Sequence, residues 1–236
     1  MTGSSTLPIA VVTGASRGIG RAVAAHLGAA GWHVVGVARS QKALEALDDA
    51  IQAAGGEAAT LVPLDLKDGP GIDRLGHALY ERFGRIDGLV ACGGVLGALS
   101  PAFNATPRVM EEVIAVNLIA NHRLIRSFHP LLRASAAGRA VFVTSNAARH
   151  PKAYWGPYAA SKAGLEALVM SYAQEIEITP IKANLFNPGP VRTAMRAKAY
   201  PGEDPASLVT PEAVAPAIAA LLAPSFMDNG TLVSFR

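Results

Sequence analysis

The sequence lacks the features that mark disulfide-bonded, nucleic-acid-binding and membrane proteins. Its 236 residues include one cysteine, Cys92, which excludes an internal disulfide and favours a reducing compartment. Charged residues make up only 17% of the chain, the net charge is +3, and no basic run suggests binding to nucleic acid or a membrane surface. No apolar stretch is long enough to span a bilayer, and the first residues lack the pattern of a signal peptide. We therefore expect a cytoplasmic protein that binds neither nucleic acid nor membrane.

Residues that could ligate a metal or attack a substrate are also few. The six histidines are scattered without metal-ligand spacing, so the sequence predicts no metal site. Cys92 could be a nucleophile, but its place at the end of a predicted buried strand indicates an inert thiol. His150, Tyr154 and Trp155 follow the fifth predicted strand, where they could shape a pocket or simply pack within a loop.

What the sequence does have is a regular alternation of short β-branched runs and longer helical patterns. Half of the residues are hydrophobic, which is typical of a globular protein. Because the alternation requires crossover connections, it predicts a doubly wound α/β fold with a mostly parallel, seven-stranded sheet and helices on both faces. No linker interrupts it, so we expect one domain over residues 1–236. The predicted strands are residues 7–13, 33–38, 58–64, 88–92, 140–144, 182–186 and 231–235. The first predicted helix follows the first strand and ends at residue 30, and the other predicted helices are 41–54, 72–83, 107–132, 156–177 and 211–222.

A glycine-rich turn, Thr13-Gly-Ala-Ser-Arg-Gly-Ile-Gly20, joins the first predicted strand to the first predicted helix. Gly14, Gly18 and Gly20 permit a tight turn and a close approach of the backbone to a pyrophosphate. The helix that begins there directs free N–H groups and its positive dipole end at such an anion. A glycine-rich turn can also be merely a sharp corner, but its place between a strand and a helix favours a phosphate site.

The second predicted strand ends in Ala38-Arg39, where a carboxylate would otherwise bind the ribose hydroxyls of NAD. Arginine suits a 2′-phosphate because it forms planar, charge-assisted hydrogen bonds. Arg17, within the glycine turn, could approach the same phosphate. Both residues could instead be solvated surface arginines, but together with the missing acid they favour NADP(H) as the cofactor.

Tyr158 and Lys162 lie four residues apart on a predicted helix, so both side chains face the same space. A free tyrosine has a pKa of about 10, and a cation a few Å away favours the phenolate. Such a phenol could exchange protons with an alcohol or a carbonyl. A solvated helix pair would show the same spacing, so this interpretation depends on the other motifs.

Taken together, these motifs resemble the classical short-chain dehydrogenase/reductase family over residues 7–235, in the family's order and spacing. The resemblance implies a Rossmann-type fold and a catalytic set of Asn117, Ser145, Tyr158 and Lys162. It also implies that Asp65 contacts the adenine, and that Val191 and Thr193 lie at the nicotinamide carboxamide. The implied cofactor-binding residues are Gly14, Ser16, Arg17, Gly18, Ile19, Gly20, Arg39, Asp65, Leu66, Gly93, Tyr158, Lys162, Pro188, Gly189, Val191 and Thr193.

The resemblance further implies a role for each catalytic residue. Tyr158 would be the general acid in reduction and the base in oxidation, and Ser145 would hydrogen-bond the substrate oxygen. Lys162 would lower the pKa of Tyr158 and bind the nicotinamide ribose. Asn117 would hold a water that links Lys162 to solvent. The expected protein is an NADP(H)-dependent enzyme that interconverts a small-molecule carbonyl and an alcohol, and a homodimer or homotetramer.

The sequence departs from the family pattern at three places. Ala91-Cys92-Gly93-Gly94 replaces Asn-Asn-Ala-Gly, and we expect some loss of local rigidity rather than of activity. The glycine that usually follows the catalytic serine is missing from Ser145-Asn-Ala-Ala-Arg149. The chain also ends just after the last predicted strand, without a tail that would cover a neighbouring subunit's site. In the polar segment 193–210, the composition fits either a mobile substrate lid or a surface loop.

Two other functions compete with this interpretation. A non-catalytic NADPH sensor on the same fold would be expected to lose catalytic residues, whereas all four are present. A sugar-nucleotide epimerase would carry a larger C-terminal substrate domain, for which the chain has no room.

Overall fold

A computed structural model describes residues 7–235, and their strands form one sheet. All six strand pairings are parallel, in the order β3-β2-β1-β4-β5-β6-β7. Every residue of β1, β2, β4 and β5 is buried, as expected for a parallel sheet covered on both faces. The strands are β1 (Ile9–Thr13), β2 (His33–Ala38), β3 (Thr60–Pro63), β4 (Gly88–Ala91), β5 (Arg139–Val143), β6 (Lys182–Asn187) and β7 (Leu232–Ser234).

Several of the helices begin at side-chain caps that the sequence supplies. The side chains of Ser40, Asp68, Thr106 and Thr210 each accept a hydrogen bond from the backbone N–H three residues further on. Such caps satisfy N–H groups that have no partner within the helix. The helices are α1 (Gly18–Ala29), α2 (Gln41–Ala53), α3 (Gly69–Phe83), α4 (Pro107–Ile114), α5 (Ala120–Ala134), α6 (Gly156–Glu175), α7 (Ala194–Ala199) and α8 (Pro211–Ala220).

The core consists of two apolar layers, one on each face of the sheet. One layer packs α3, α5 and α6 against the sheet, and the other packs α1, α2 and α8. Phe128, Phe142 and Phe186 are completely buried. Burying each such side chain contributes roughly 1.5–3 kcal/mol to stability. These layers fix the positions of the strand ends on which the candidate site is built.

The predicted fold class is confirmed, with one refinement: the sheet is wholly rather than mostly parallel. Two other features differ from the prediction. The predicted helix 107–132 is interrupted by a π-helical turn, Ala115–Ile119, between α4 and α5. The segment 193–210 contains α7 and a 3₁₀ turn, Pro205–Ser207, and is not simply a loop. The predicted domain limits of 1 and 236 lie outside the described residues.

The strand order places a crevice beyond the carboxyl ends of the central strands β1 and β4. The chain order reverses between β1 and β4, which are neighbours although β2 and β3 separate them in sequence. In open parallel sheets, ligands bind beyond the carboxyl ends of the strands at such a reversal. Within residues 7–235, no helix is long and apolar enough to cross a membrane.

Candidate functional site

A cavity of about 1130 Å³ lies at the carboxyl ends of the strands. It is lined by all of the cofactor-binding residues predicted from the sequence and by all of the predicted catalytic residues except Asn117. The predicted residues that line it are Gly14, Ser16, Arg17, Gly18, Ile19, Gly20, Arg39, Asp65, Leu66, Gly93, Ser145, Tyr158, Lys162, Pro188, Gly189, Val191 and Thr193. The fold therefore brings together residues that are up to 179 positions apart (Gly14 to Thr193).

The glycine turn forms one wall of the cavity. Gly14 has a positive φ of 69°, which favours glycine. A Cβ on Gly20 would lie 2.5 Å from the carbonyl oxygen of Gly14, so no larger residue fits there. The Thr13 hydroxyl accepts a hydrogen bond from Gly93 N at 3.2 Å and ties this turn to the end of β4. The turn is thus a backbone cradle in front of the N-terminus of α1.

The two arginines predicted to hold a phosphate lie on the same cavity. Arg17 and Arg39 are both exposed, and no ion pair joins either of them to a carboxylate within the described chain. Asp65 also lines the cavity, where its Oδ1 accepts a hydrogen bond from Lys67 N at 3.0 Å. The cavity lining therefore includes two guanidinium groups that form no ion pair within residues 7–235.

Asn117 lies behind the cavity wall, fully buried in the π-helical turn. Its Oδ1 accepts from Val95 N at 2.8 Å, and its Nδ2 donates to Val95 O at 2.9 Å and to Ser161 Oγ at 3.0 Å. Its backbone carbonyl accepts from Asn121 Nδ2 at 2.8 Å. Because both side-chain amide hydrogens of Asn117 already have partners, a water bound to Asn117 would have to donate a hydrogen bond to one of its oxygen atoms.

Asn117 nevertheless lies close to the lysine of the predicted set. A Cβ on Gly94 would lie 3.3 Å from Asn117 Oδ1 and 3.8 Å from Lys162 Nζ. Both polar groups therefore face the same backbone position. Glycine at this position leaves the space between them open.

Tyr158 and Lys162 face the cavity from the first turns of α6, and both are buried. Lys162 Nζ donates to the carbonyl oxygen of Val143 at 2.8 Å and lies 5.9 Å from the centre of the Tyr158 ring. Burial lowers the pKa of Lys162 to about 8, against smaller raising effects of Cys92 and Glu166. Burial disfavours the charged form of any group, so the ammonium form of Lys162, still the main form at neutral pH, is lost at a much lower pH than that of a free lysine.

The pKa of Tyr158 moves in the opposite direction to the sequence-based expectation. Burial raises it, and this outweighs the lowering effect of a hydrogen bond with Ser145. The expected lowering by Lys162 is therefore not the dominant effect in this structure, because the phenol is as desolvated as the ammonium group. With its pKa raised, Tyr158 is a neutral hydroxyl at physiological pH.

The cavity wall near Tyr158 is apolar. Leu96, Trp155, Met195 and Ala199 line the cavity and pack with Tyr158. Trp155 stands edge-on to the Tyr158 ring, with ring centres 5.7 Å apart. Of the loop residues considered from the sequence, Trp155 alone appears among the cavity-lining residues, whereas His150 and Tyr154 are exposed. Leu96 and Met195 were missed because no local pattern marks a residue as part of a distant pocket.

The segment 193–210 packs over this wall. Arg196 on α7 forms a bidentate ion pair with Glu203 at 2.5 Å and stacks on the ring of Tyr200 at 3.8 Å. Lys152 Nζ donates to the Tyr200 hydroxyl at 3.0 Å, which ties the segment to the loop before α6. Thr193 caps α7 by accepting a hydrogen bond from Arg196 N at 3.1 Å.

Cys92 is a partly buried free thiol on the cavity floor. Burial raises its pKa to about 12, against a smaller lowering effect of Lys162. A thiol with such a pKa is neutral at physiological pH and is a poor nucleophile. This agrees with the interpretation of Cys92 as inert.

The sequence matches the family model of the short chain dehydrogenases over residues 8–204. It is 36% identical over 210 residues to the uncharacterized oxidoreductase YciK of Escherichia coli K12, covering 88% of this chain and 83% of that protein. It is 32% identical over 191 residues to the 3-oxoacyl-[acyl-carrier-protein] reductase FabG of the same organism, covering 79% of this chain and 75% of that protein. Among solved structures, a short chain dehydrogenase from Shigella flexneri 2a complexed with NADP superposes with a TM-score of 0.92 at 33% identity, covering 96% of each chain.

Proposed function

The chain belongs to the short chain dehydrogenase family, and from that premise we propose that it is an NADP(H)-dependent oxidoreductase that interconverts a carbonyl and an alcohol. The observation that carries the proposal is one cavity that joins the glycine cradle, two unneutralised arginines and the Ser145–Tyr158–Lys162 group. Each of these parts has a separate task in such a reaction.

The cavity fits NADP(H) on its own geometry. The cradle of Gly14 and Gly20 would place backbone N–H groups and the N-terminus of α1 against the pyrophosphate. Arg17 and Arg39 would hold the 2′-phosphate, and Asp65 would contact the adenine. The NADP in the Shigella relative supports the same choice of cofactor for this chain.

Tyr158 would donate the proton during reduction. When bound, the cofactor supplies the hydride; the protein contributes position and the proton. Ser145 would hydrogen-bond the substrate oxygen and stabilise the charge that develops on it. Lys162 would hold the nicotinamide ribose, and its charged form would stabilise the Tyr158 phenolate left after proton transfer. Asn117 would orient this region through its bonds to Val95 and Ser161.

The test is a screen of ketones, aldehydes and quinones that follows NADPH absorbance. Consumption of NADPH with a carbonyl substrate would support the proposal. The alternative, a non-catalytic NADPH sensor, would bind NADPH but consume none with any of these compounds. The presence of all four predicted catalytic residues favours the enzyme.

We further propose that the protein is a homodimer or homotetramer. The group of packed elements α4, the π-helical turn and α6 carries the exposed apolar side chains Met110 (40%), Ile119 (49%) and Met170 (40%). Such apolar side chains on adjacent helices would be buried by a second copy of the chain.

A further inference from the structure

Glu166 is a largely buried carboxylate on α6, one helical turn after Lys162. Its side chain is only 15% exposed. The Thr144 hydroxyl donates to its Oε1 at 2.7 Å, and Arg149 Nε lies 3.6 Å from its Oε2. Carboxylates are rarely buried unless their oxygens are paired, and both oxygens of Glu166 are.

The two partners of Glu166 flank the serine of the catalytic group. Thr144 directly precedes Ser145, and Arg149 follows the 3₁₀ turn Asn146–Ala148. One carboxylate is therefore bound to both ends of the segment that carries Ser145. A second contact holds the middle of this segment, because Asn187 Nδ2 donates to Asn146 Oδ1 at 2.8 Å.

The segment also makes local contacts. The Ser145 hydroxyl accepts from Ala147 N at 3.2 Å, and Arg149 N bonds to Asn146 O at 3.1 Å. These contacts shape the turn itself. The segment is joined to α6, which carries Tyr158 and Lys162, by the hydrogen bond between Ser145 and Tyr158, by the packing of Ala147 against Tyr158, and by the carboxylate of Glu166 at both ends of the segment.

We propose that Glu166 is a positioning residue, whose carboxylate fixes the Ser145 segment against α6 and places a negative charge one turn from the Lys162 ammonium group. The inference deepens the proposed function and rests on it. Glu166 does not need to touch substrate, since it acts through Thr144, Arg149 and Lys162.

The groups around Lys162 support the proposed electrostatic effect of Glu166 on its ammonium group. The groups around it are the Cys92 thiol after β4, the Val143 carbonyl at the end of β5, Asn117 in the π-helical turn, and Tyr158 and Glu166 on α6. Cys92 is neutral, because burial raises its pKa to about 12. Glu166 contributes a raising effect on the pKa of Lys162, against the larger lowering effect of burial.

The experiment compares Glu166→Gln, Glu166→Ala, Thr144→Val and Thr144→Ser with the wild-type enzyme. Misplacing a catalytic group by about 1 Å can cost roughly 100-fold in rate. We therefore expect kcat to fall about 10- to 100-fold in Glu166→Ala and Thr144→Val, with the KM for NADPH within about twofold of wild type. Thr144→Ser should restore kcat because it keeps the hydroxyl. Glu45→Gln, an exposed glutamate on α2, is the matched control.

Two further readouts separate positioning from general destabilisation. In Glu166→Gln, the basic limb of the pH–rate profile should move to lower pH, because Lys162 loses a neighbouring negative charge. Amide hydrogen exchange over residues 146–150 should be faster in Glu166→Ala and Thr144→Val than in wild type or Tyr158→Phe.

Wild-type kcat and wild-type exchange in Glu166→Ala and Thr144→Val would overturn the proposal. Equal loss of kcat in Thr144→Ser and Thr144→Val would also overturn it, because the hydroxyl would then be irrelevant. If the wild-type protein consumes no NADPH with any carbonyl, the proposed function fails. The exchange rates would then still decide whether Glu166 anchors the Ser145 segment.

Discussion

Burial governs the proton affinities of the residues proposed to carry the reaction. It raises the pKa of Tyr158 and lowers that of Lys162 to about 8, so both groups shift towards their neutral forms. A neutral phenol is the form that can donate a proton to a carbonyl. The electrostatic pairing expected from the sequence spacing would matter most after the proton has left, when Tyr158 becomes an anion beside Lys162.

The pKa of Lys162 predicts a pH limit for the enzyme. Its folded-state pKa of about 8 lies below the ordinary value of 10.5, so the ammonium form is lost as the pH rises through about 8. We expect kcat/KM for NADPH, which reports the free enzyme, to fall across that range. A pH profile at constant ionic strength would measure this. A profile that stays flat to pH 10 would contradict the assignment.

Arg39 is predicted to select NADPH over NADH. Arg39→Asp places a negative charge opposite the 2′-phosphate and removes a charge-assisted hydrogen bond worth about 1.5–3 kcal/mol. We expect the Kd for NADPH to rise roughly 10- to 100-fold, while the Kd for NADH changes little. Arg74→Gln, an exposed arginine paired with Asp68, is the control. An unchanged ratio of the two Kd values in fluorescence titrations would show that Arg39 does not select the cofactor.

At the scale of single elements, prediction succeeded where a local signal exists. The glycine turn was predictable because Gly14 needs a positive φ and Gly20 has no space for a Cβ, both of which are local requirements. The strands were predictable because β-branched runs that are buried on both faces stand out from the helical patterns. Their ends differ from the prediction by at most two residues, since side chains and turns decide where pairing stops.

The π-helical turn and α7 were not predictable from local patterns. The π-helical turn lies within a continuous helical pattern, and Asn117 bonds there to Val95, a partner 22 residues away. Helix α7 lies in a segment whose proline, glycine and charged residues suggest a loop. Its stability depends on the Thr193 cap and on the pairing of Arg196 with Glu203.

The Arg196–Glu203 pair is predicted to hold α7 over the apolar wall of the cavity. Glu203→Gln removes one charge of a partly exposed pair and so weakens the attachment of Glu203 to Arg196 on α7. We expect the substrate KM to rise about fivefold while kcat stays within about twofold. Steady-state kinetics on the best substrate from the carbonyl screen would measure both. A KM equal to that of wild type would show that the pair does not support substrate binding.

At the scale of the whole molecule, the residues predicted to share one site come together in the fold, but the contacts that hold them in place were not predicted. The predicted residues from Gly14 to Thr193 line one cavity, except Asn117, which lies behind its wall. The Glu166 contacts to Thr144 and Arg149, and the Leu96 and Met195 side chains of the apolar wall, were not predicted. These contacts depend on the packing of α6 and α7 against strand ends, for which the sequence carries no local signal.

The proposed oligomer makes a prediction about the face of α4, the π-helical turn and α6. Sedimentation at micromolar concentration should show a dimer or a tetramer. Ile119→Glu should shift the protein towards monomer, because a charge at this face would be desolvated by the second copy. Ile178→Glu is the control, since Ile178 is 98% exposed just beyond α6. Wild-type protein that sediments only as monomer would refute the oligomer.

The most direct test of the proposed mechanism is turnover by Tyr158→Phe. The substitution removes one hydroxyl from a buried ring, and general acid catalysis contributes typically 10²- to 10⁴-fold to a rate. NADPH consumption with the best carbonyl substrate, together with the Kd for NADPH, should be measured for wild type and variant. The account predicts a loss of kcat of at least about 100-fold, with a Kd within about threefold of wild type. Turnover at the wild-type rate would contradict it.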